Sequence, residues 1–254
     1  MPAPTIRPVP AVRRANAILH YLAEHGEPRG VSRIARDLQM LPSTCLHILR
    51  ELASASFVNF MPTDKTWSLG PGVLTLARRF VDRDRFALLA QSHIDRIGQR
   101  HGVKATASVY DGHRSIVVVA VTAFDDDMQV QVRVGRRVPM LASSTGRCIA
   151  AFNDFPLEQL KQEFAATAWQ TPLGFAKWRK QLPEVKAQGL AVDEGWYRKG
   201  MTLMSAPVCS PDGSARRFIG ILGISAQIDG ARRQAIGAAL VQSARVLEQA
   251  LSAE

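Results

Sequence analysis

The sequence has little cysteine and no long hydrophobic run. Its three cysteines, Cys45, Cys148 and Cys209, lie too far apart to form a CxxC metal or redox pair. No stretch approaches the roughly 18 apolar residues that a membrane-spanning helix needs, and residues 1–25 hold no apolar segment like that of a secretory signal. From these absences we expect a reduced, cytoplasmic protein that does not enter a membrane.

What the composition does contain is an ordinary globular balance with an excess of positive charge. Hydrophobic residues make up 46% and charged residues 21%, which excludes disordered, collagen-like and coiled-coil classes. Lysine and arginine number 32 against 22 acidic residues, a formal net charge of +10. Such an excess favours a polyanionic partner, either nucleic acid or an anionic membrane surface.

Residues 12–69 carry the pattern of a winged helix-turn-helix. Apolar residues recur at helical spacing in three short segments, and two short strands follow them as a hairpin. Ser43 or Thr44 would cap the third helix, and the proline-rich residues 1–10 predict an extended arm. The predicted helices are Val12–Ala23, Val31–Leu38 and Ser43 or Thr44 to Ala53, and the predicted strands are Phe57–Phe60 and Thr66–Leu69.

The third helix of such a fold lies in the major groove of DNA, where its polar residues meet base edges. Arg50 suits two hydrogen bonds to guanine, His47 can donate or accept, and Lys65 in the predicted wing can reach a phosphate or the minor groove. Alternatively, the surface arginines are simply solvated and Ser43 is only a helix cap. The DNA-binding candidates are Arg13, Arg14, Arg33, Ser43, Thr44, His47, Arg50 and Lys65.

The rest of the chain predicts a connecting helix and then an α+β domain. Residues 73–89 combine helical spacing with dense mixed charge, which suits a solvated connection. Beyond it, strands that pair as hairpins, such as those flanking Asp111 and Gly112, favour an antiparallel sheet. The predicted strands are Thr106–Tyr110, Ser115–Thr122, Gln129–Val134, Leu203–Val208 and Phe218–Ser225, and the predicted helices are Leu141–Phe152, Phe155–Phe164 and Ile236–Leu251.

The order of these motifs resembles that of the IclR family of bacterial transcriptional regulators. The likeness rests on Leu22–Gly26, Val31–Leu38 and Trp67–Gly70 in the first part of the chain, and on Ser143–Cys148 and Ala206–Val208 in the second. It implies a winged helix-turn-helix joined to a GAF-like effector domain. The implied domains are 1–72 for DNA binding, 73–89 for the connecting helix and 90–254 for the effector, while Gln39–Pro42, Leu46 and His47 depart from the family pattern.

Ser143–Gly146 precede an apolar helix, where hydroxyls and free backbone N–H groups favour an anion such as a carboxylate. The resemblance implies that this turn lines a pocket for a small organic acid and that Asp193 faces it. Because like charges repel, we expect Asp193 to bond a ligand hydroxyl, a water or the turn's N–H groups. Trp196 and Tyr197 would suit an aromatic acid, unless Trp196 only fills the core. The effector-binding candidates are Val130, Ser143, Ser144, Thr145, Gly146, Asp193, Met201 and Leu203.

The expected partners are a palindromic double-stranded DNA operator, a small organic acid and further copies of the chain. A single winged helix contacts little DNA, so a dimer or tetramer is expected, with the connecting and terminal helices between subunits. An enzyme is the alternative: Cys148 near a helix start would be a nucleophile, and the winged helix would dock proteins. Because no P-loop, GxSxG, HExxH or Rossmann motif occurs, we expect no enzyme, no cofactor and no metal.

Overall fold

The computed structural model describes residues 9–83, 85–123, 132–171 and 173–253. The chain divides into two compact units, an N-terminal unit of residues 1–83 and a C-terminal unit of residues 84–254. Within the described ranges, none of the helices combines the length and the apolar character that crossing a bilayer requires.

The N-terminal unit is a winged helix-turn-helix, as predicted. Its core joins the three helices to the hairpin through Ile18, Ile34, Cys45, Leu49 and Trp67, each of which is buried. A short strand that the sequence does not predict pairs with the second hairpin strand, so the antiparallel order is β1-β3-β2. The elements are α1 Pro10–His25, β1 Arg29–Gly30, α2 Val31–Asp37, α3 Pro42–Ser54, β2 Val58–Met61, β3 Thr66–Leu69 and α4 Gly72–Arg83.

Two helices of this unit begin earlier than predicted, in both cases at a proline. α1 begins at Pro10 with Val9 as its N-cap, and residues 1–8 of the predicted arm lie outside the described residues. α3 begins at Pro42 with Leu41 as its N-cap, so the prediction that Ser43 or Thr44 caps it is wrong. Proline suits the first helical position because its backbone dihedral is preset and it has no N–H to satisfy.

The predicted connecting helix over residues 73–89 is wrong as a single element. α4 ends at Arg83, and a separate helix, α5, runs over Phe86–His101. α5 belongs to the C-terminal unit, where Phe86, Ala90 and Ile94 are fully buried in its core. The charged residues just before Phe86 continue the helical pattern, so the sequence does not show that a separate, buried helix begins at Phe86.

The C-terminal unit is an α+β domain on an antiparallel sheet, as predicted. In its described part, six strands run in the order β6-β5-β4-β9-β8-β7. Helix α5 and the terminal helix pack on one face, and the remaining helices cover the other. The strands are β4 Lys104–Tyr110, β5 Ser115–Val121, β6 Arg137–Pro139, β7 Ala191–Glu194, β8 Met201–Cys209 and β9 Ala215–Ile224, and the further helices are α6 Ser143–Phe152, α7 Leu157–Ala166, α8 Phe175–Lys180, α9 Leu182–Gln188 and α10 Gly230–Ser252.

The predicted strand Gln129–Val134 is not supported where it can be checked. Residues 129–131 lie outside the described residues, and residues 132–134 form no strand. The edge strand is instead β6, which follows a turn at Gly135, where φ is 86°. Helices α8 and α9 were not predicted, because neither short segment has apolar residues at the spacing i, i+3, i+4 and i+7 that marked α2.

Strand β4 packs into the apolar core with one face and lines a cavity with the other. Ala105 and Ala107 point to the core beneath α5 and α10, whereas Thr106 and Ser108 point to the opposite face, beside the start of α6. Alternation along the strand therefore separates an apolar core from a polar floor.

Candidate functional site

A cavity of ≈ 280 Å³ lies in the C-terminal unit, on the sheet face that carries α6. Its floor is formed by residues of the five strands β4, β5, β6, β8 and β9, and its walls by the first turn of α6 and by the segment between β7 and β8. This volume is near the lower end for small-molecule sites, so it suits a compact ligand. The lining residues include Thr106, Ser108, Ile116, Val118, Val132, Arg136, Val138, Ser143, Ser144, Thr145, Gln170, Tyr197, Arg198, Lys199, Met201, Leu203, Ser205, Gly220 and Leu222.

The first turn of α6 lines this cavity through Ser143, Ser144 and Thr145. Its N-cap, Ala142, has no polar side chain, so the helix has no side-chain cap. The first amides of a helix have no partner within it, and they carry the positive end of the helix dipole. Ser143, at the start of the turn, has a φ of 61°, a left-handed conformation that is uncommon outside glycine. Strain of this kind is found at binding sites that the surrounding fold holds in place.

Three hydroxyls meet where α6 reaches the sheet. Ser144 Oγ lies 2.9 Å and Thr145 Oγ1 lies 2.7 Å from Ser205 Oγ of strand β8. Each hydroxyl can donate one hydrogen bond and accept two, so the cluster has capacity left for a ligand.

Gly146 does not line the cavity, which corrects its place among the predicted effector contacts. A Cβ at this position would lie 2.2 Å from the carbonyl carbon of Leu141, so only glycine fits there. Its backbone N–H already donates to the carbonyl oxygen of Ala142 at 3.0 Å. Gly146 therefore allows α6 to pack closely on the preceding turn.

The charged residues in the described part of the cavity lining have one sign. Arg136, Arg198 and Lys199 line it, and none of the described lining residues is a carboxylate. The Arg198 guanidinium lies 4.9 Å from the centre of the Tyr197 ring, a cation–π contact, and the Lys199 backbone N–H donates to Gln170 Oε1 at 2.9 Å. A cleft of one charge sign concentrates ions of the opposite sign, so the cavity favours anions.

Asp193 does not face the cavity, contrary to prediction. It is 0% exposed, and its Oδ2 accepts a hydrogen bond at 3.2 Å from Nη2 of Arg147, which is itself 1% exposed. Its Oδ1 accepts the backbone N–H groups of Trp196 and Tyr197 at 3.0 and 3.2 Å. Burial raises the pKa of the Asp193 carboxyl, while Arg147 and the two N–H groups act in the opposite direction.

Of the eight predicted effector residues, five line the cavity, two do not, and one lies outside the described residues. That one is Val130, and Gly146 and Asp193 are placed elsewhere as described above. The sequence did not single out Thr106, Ser108 or Ser205, although polar residues within otherwise apolar strands were a usable signal. The predicted residues that line the cavity are Ser143, Ser144, Thr145, Met201 and Leu203.

Cys148 belongs to the core, and the geometry argues against the nucleophile of the enzyme alternative. The side chain is 0% exposed, and its Sγ donates to the carbonyl oxygen of Ser205 at 3.3 Å. Burial raises the pKa of the Cys148 thiol to about 12, so the reactive thiolate is scarce near neutral pH. The described residues also include no group of three or more His, Cys, Asp or Glu that could hold a metal.

The predicted DNA contacts lie on three helices and one hairpin turn of the N-terminal unit. Ser43, His47 and Arg50 are exposed on α3 and Thr44 is partly exposed, while Lys65 is exposed in the β2–β3 turn. The remaining candidates, Arg13 and Arg14 on α1 and Arg33 on α2, are also exposed.

Arg33 is already engaged by a neighbour. Its Nε lies 3.1 Å from Asp37 Oδ2, and the Tyr21 hydroxyl donates to the same oxygen at 2.7 Å. These two hydrogen bonds lower the pKa of the Asp37 carboxyl, so it stays ionised beside Arg33. Arg33 would therefore have to share its charge between Asp37 and any DNA phosphate.

A winged helix-turn-helix joined in one chain to a cavity bordered by cations defines a class of protein, the ligand-responsive DNA-binding regulators. Residues 11–60 match the family model of the IclR helix-turn-helix domain, and residues 79–249 match that of the bacterial transcriptional regulator IclR C-terminal domain. The chain belongs to the IclR family of bacterial transcriptional regulators.

Individual relatives resemble the chain along most of its length. The glycerol operon regulatory protein of Streptomyces griseus is 27% identical over 226 residues, which are 88% of this chain and 87% of that protein. A solved IclR regulator from Alicyclobacillus acidocaldarius has a TM-score of 0.81 at 23% identity and covers 96% of this chain and 99% of its own. An IclR homologue from Microbacterium hydrocarbonoxydans, solved in complex with 4-hydroxybenzoate, has a TM-score of 0.77 at 19% identity, with coverages of 96% and 100%. The two solved structures confirm the fold.

Proposed function

We propose that the chain binds a palindromic DNA operator through its winged helix and that a small organic acid in the cavity of the C-terminal unit changes this binding. The observation that carries the proposal is the described lining of the cavity, which brings together the first turn of α6, hydroxyls and cations and includes no carboxylate among its described residues. An effector controls DNA binding only if it has different affinities for two arrangements of the protein.

The chemistry of the lining favours a carboxylate. Its oxygens would accept hydrogen bonds from the first amides of α6 and from the hydroxyls of Ser144 and Thr145, while Arg136, Arg198 and Lys199 attract the anion. Each hydrogen bond to a charged group stabilises a complex by about 1.5–3 kcal/mol. Ser143, Ser144, Thr145, Met201 and Leu203 remain the proposed effector contacts among the predicted residues.

We further propose that the acid is aromatic. Ile116, Val118, Val138, Leu203 and Leu222 give the cavity apolar walls, against which a flat ring would bury its surface. The homologue bound to 4-hydroxybenzoate shares the fold, and its ligand is a compact aromatic acid of this kind. We therefore take 4-hydroxybenzoate as the first ligand to test.

On the DNA side, α3 is the proposed recognition helix. Arg50 would read a guanine, His47 a base edge, and Ser43 and Thr44 a base or phosphate, with Lys65 in the wing on the backbone. Arg13, Arg14 and Arg33 would add phosphate contacts. Two winged helices are needed for tight and selective binding, so a dimer or tetramer in the cytoplasm is part of the proposal.

The experiment has two steps. DNA fragments bound by the protein are selected from a random pool, and the enriched sequence is inspected for two-fold symmetry. A fluorescent fragment is then titrated with protein, with and without a panel of small carboxylic acids and their neutral amides. An inverted repeat and a shift in affinity caused by an acid but not by its amide support the proposal. No enrichment, or equal effects of acid and amide, would refute it.

A further inference from the structure

The pair formed by Arg147 and Asp193 is not part of the described lining of the cavity. Both side chains are almost fully buried, and they are 3.2 Å apart between Nη2 and Oδ2. Arg147 Nε also donates to Gln181 Oε1 at 3.1 Å, and the guanidinium lies 4.8 Å from the centre of the Trp196 ring. The pair is thus enclosed by three separate parts of the fold.

The pair joins the two walls of the cavity. Arg147 lies on α6, one turn after the residues Ser143–Thr145 that face the ligand space. Asp193 lies on β7 and holds the segment 195–200, because its Oδ1 accepts hydrogen bonds from the backbone N–H groups of Trp196 and Tyr197. That segment carries Tyr197, Arg198 and Lys199 into the lining. A change in the pair would therefore move one wall relative to the other.

Stability alone is a weak explanation for such a pair. Removing two charges from water is costly, and well-packed apolar residues in place of a buried ion pair are often equally stable or more so. Arg147 Nη1 is also buried and has no hydrogen-bond partner among the described residues, which adds to the cost. What an apolar pair would not supply is the directional hydrogen bonding that holds segment 195–200.

We propose that Arg147 and Asp193 are positioning residues, which preorganise the two walls of the cavity for an anionic effector without touching it. This inference rests on the proposed function and assigns a new role to Asp193, which the resemblance placed against the ligand. Arg147 has a second task, since it neutralises the Asp193 carboxylate that would otherwise repel an anion nearby. If the preorganised state fell to about a tenth of the population, effector affinity would fall about tenfold.

The test uses the full-length protein and one paired variant, Arg147→Met with Asp193→Leu, which removes both charges together. Hydrogen exchange is measured without ligand, and affinity is measured by calorimetry with 4-hydroxybenzoate and its neutral amide. Asp193→Asn and Arg147→Lys are the conservative single variants. Glu194→Gln is the matched control, because Glu194 is the exposed acid next to Asp193 and pairs with Arg233 outside the cavity.

We expect the paired variant to fold with a melting temperature close to that of the wild type. Exchange should rise across segment 195–200 and the first turn of α6 but not in β4 or α10, and affinity for 4-hydroxybenzoate should fall about tenfold or more. Arg147→Lys should lower the affinity for 4-hydroxybenzoate less than Asp193→Asn does, because it keeps the charge. Glu194→Gln should bind 4-hydroxybenzoate with the same affinity as the wild type. If the paired variant does not fold, the two single variants decide by the same measurements.

Unchanged affinity, or faster exchange at the amides of Trp196 and Tyr197 alone, would overturn the proposal. Exchange that rises throughout the unit would also overturn it, since that is the behaviour of a purely structural pair. A wild type that fails to bind 4-hydroxybenzoate would instead count against the aromatic effector of the proposed function. The hydrogen-exchange measurement, which needs no ligand, would still decide whether the pair positions the two walls.

Discussion

Thr145 Oγ1 lies 2.7 Å from Ser205 Oγ, and this contact ties the first turn of α6 to strand β8 at the floor of the cavity. Ser144 shares the same partner at 2.9 Å. The helix that would bind an anion is therefore fixed to the sheet by the same hydroxyls that would contact the ligand. Its free N–H groups are held in place before a ligand arrives, which reduces the entropy lost on binding.

Removing either hydroxyl should weaken the binding of acids. We expect Ser144→Ala and Thr145→Val each to lower the affinity for small carboxylic acids about tenfold, because each removes a hydrogen bond to a charged group. Calorimetry with acids and their amides measures this effect. Ser54→Ala, which removes a hydroxyl of the N-terminal unit, should leave it unchanged. Equal affinity of all three variants for acids would place the ligand elsewhere.

Arg50 and Lys65 should affect DNA binding in different ways. If Arg50 reads a guanine, Arg50→Ala should cost about 1–3 kcal/mol at one operator position and relax discrimination there. Lys65→Ala should weaken binding to all sequences alike and lower the slope of affinity against salt by about one. Anisotropy titrations at several salt concentrations separate the two effects, with Arg179→Gln, an exposed residue on α8, as control. Wild-type binding by both variants would move the reading surface to other residues.

Gly146 should tolerate no side chain. Gly146→Ala should lower the free energy of unfolding by at least about 3 kcal/mol, because the new Cβ would overlap the backbone of Leu141. Gly174→Ala is the control, since its Cβ would meet nothing within 4 Å, and it should change stability by less than about 1 kcal/mol. Denaturant titration measures both. Similar stabilities for the two variants would contradict the packing described for α6.

The thiols should be unreactive in the folded protein. Burial raises the pKa of Cys45 to about 11 and those of Cys148 and Cys209 to about 12. A disulfide reagent that attacks thiolates should thus label the native protein slowly near pH 7.5 and label all three thiols after unfolding. Mass spectrometry of the labelled peptides identifies the sites. Rapid labelling of Cys148 in the native state would revive the enzyme alternative.

Most of the fold could be predicted from the sequence because its elements are strongly periodic. Ile18 and Leu22, at helical spacing, lie on the buried face of α1. The hairpin signal at Asp111 and Gly112 correctly predicted the pairing of β4 with β5. The boundary near Arg83 could not be predicted, since a run of charges conceals where one helix ends and a buried one starts. Short elements such as α9 are formed by tertiary packing, which a single sequence does not display.

The site was predicted in part, for a related physical reason. Ser143–Thr145 were found because a helix start with hydroxyls has a local signature. The pairing of Asp193 could not be predicted, because its partner Arg147 is distant in sequence and only the fold brings the two side chains together. The cationic wall at Arg198 and Lys199 likewise depends on how Asp193 holds the segment that follows it.

The central claim is that an acid in the cavity changes the affinity for DNA, and one titration tests it most directly. A fluorescent operator fragment is titrated with the wild type and with the Ser144→Ala/Thr145→Val double variant, each with and without the acid that binds most tightly. The account predicts a shift of about 5–150-fold in the wild type, a much smaller shift in the double variant, and equal affinity of both proteins for DNA without acid. Acid that binds the wild type but leaves its DNA affinity unchanged, or shifts both proteins equally, would contradict it.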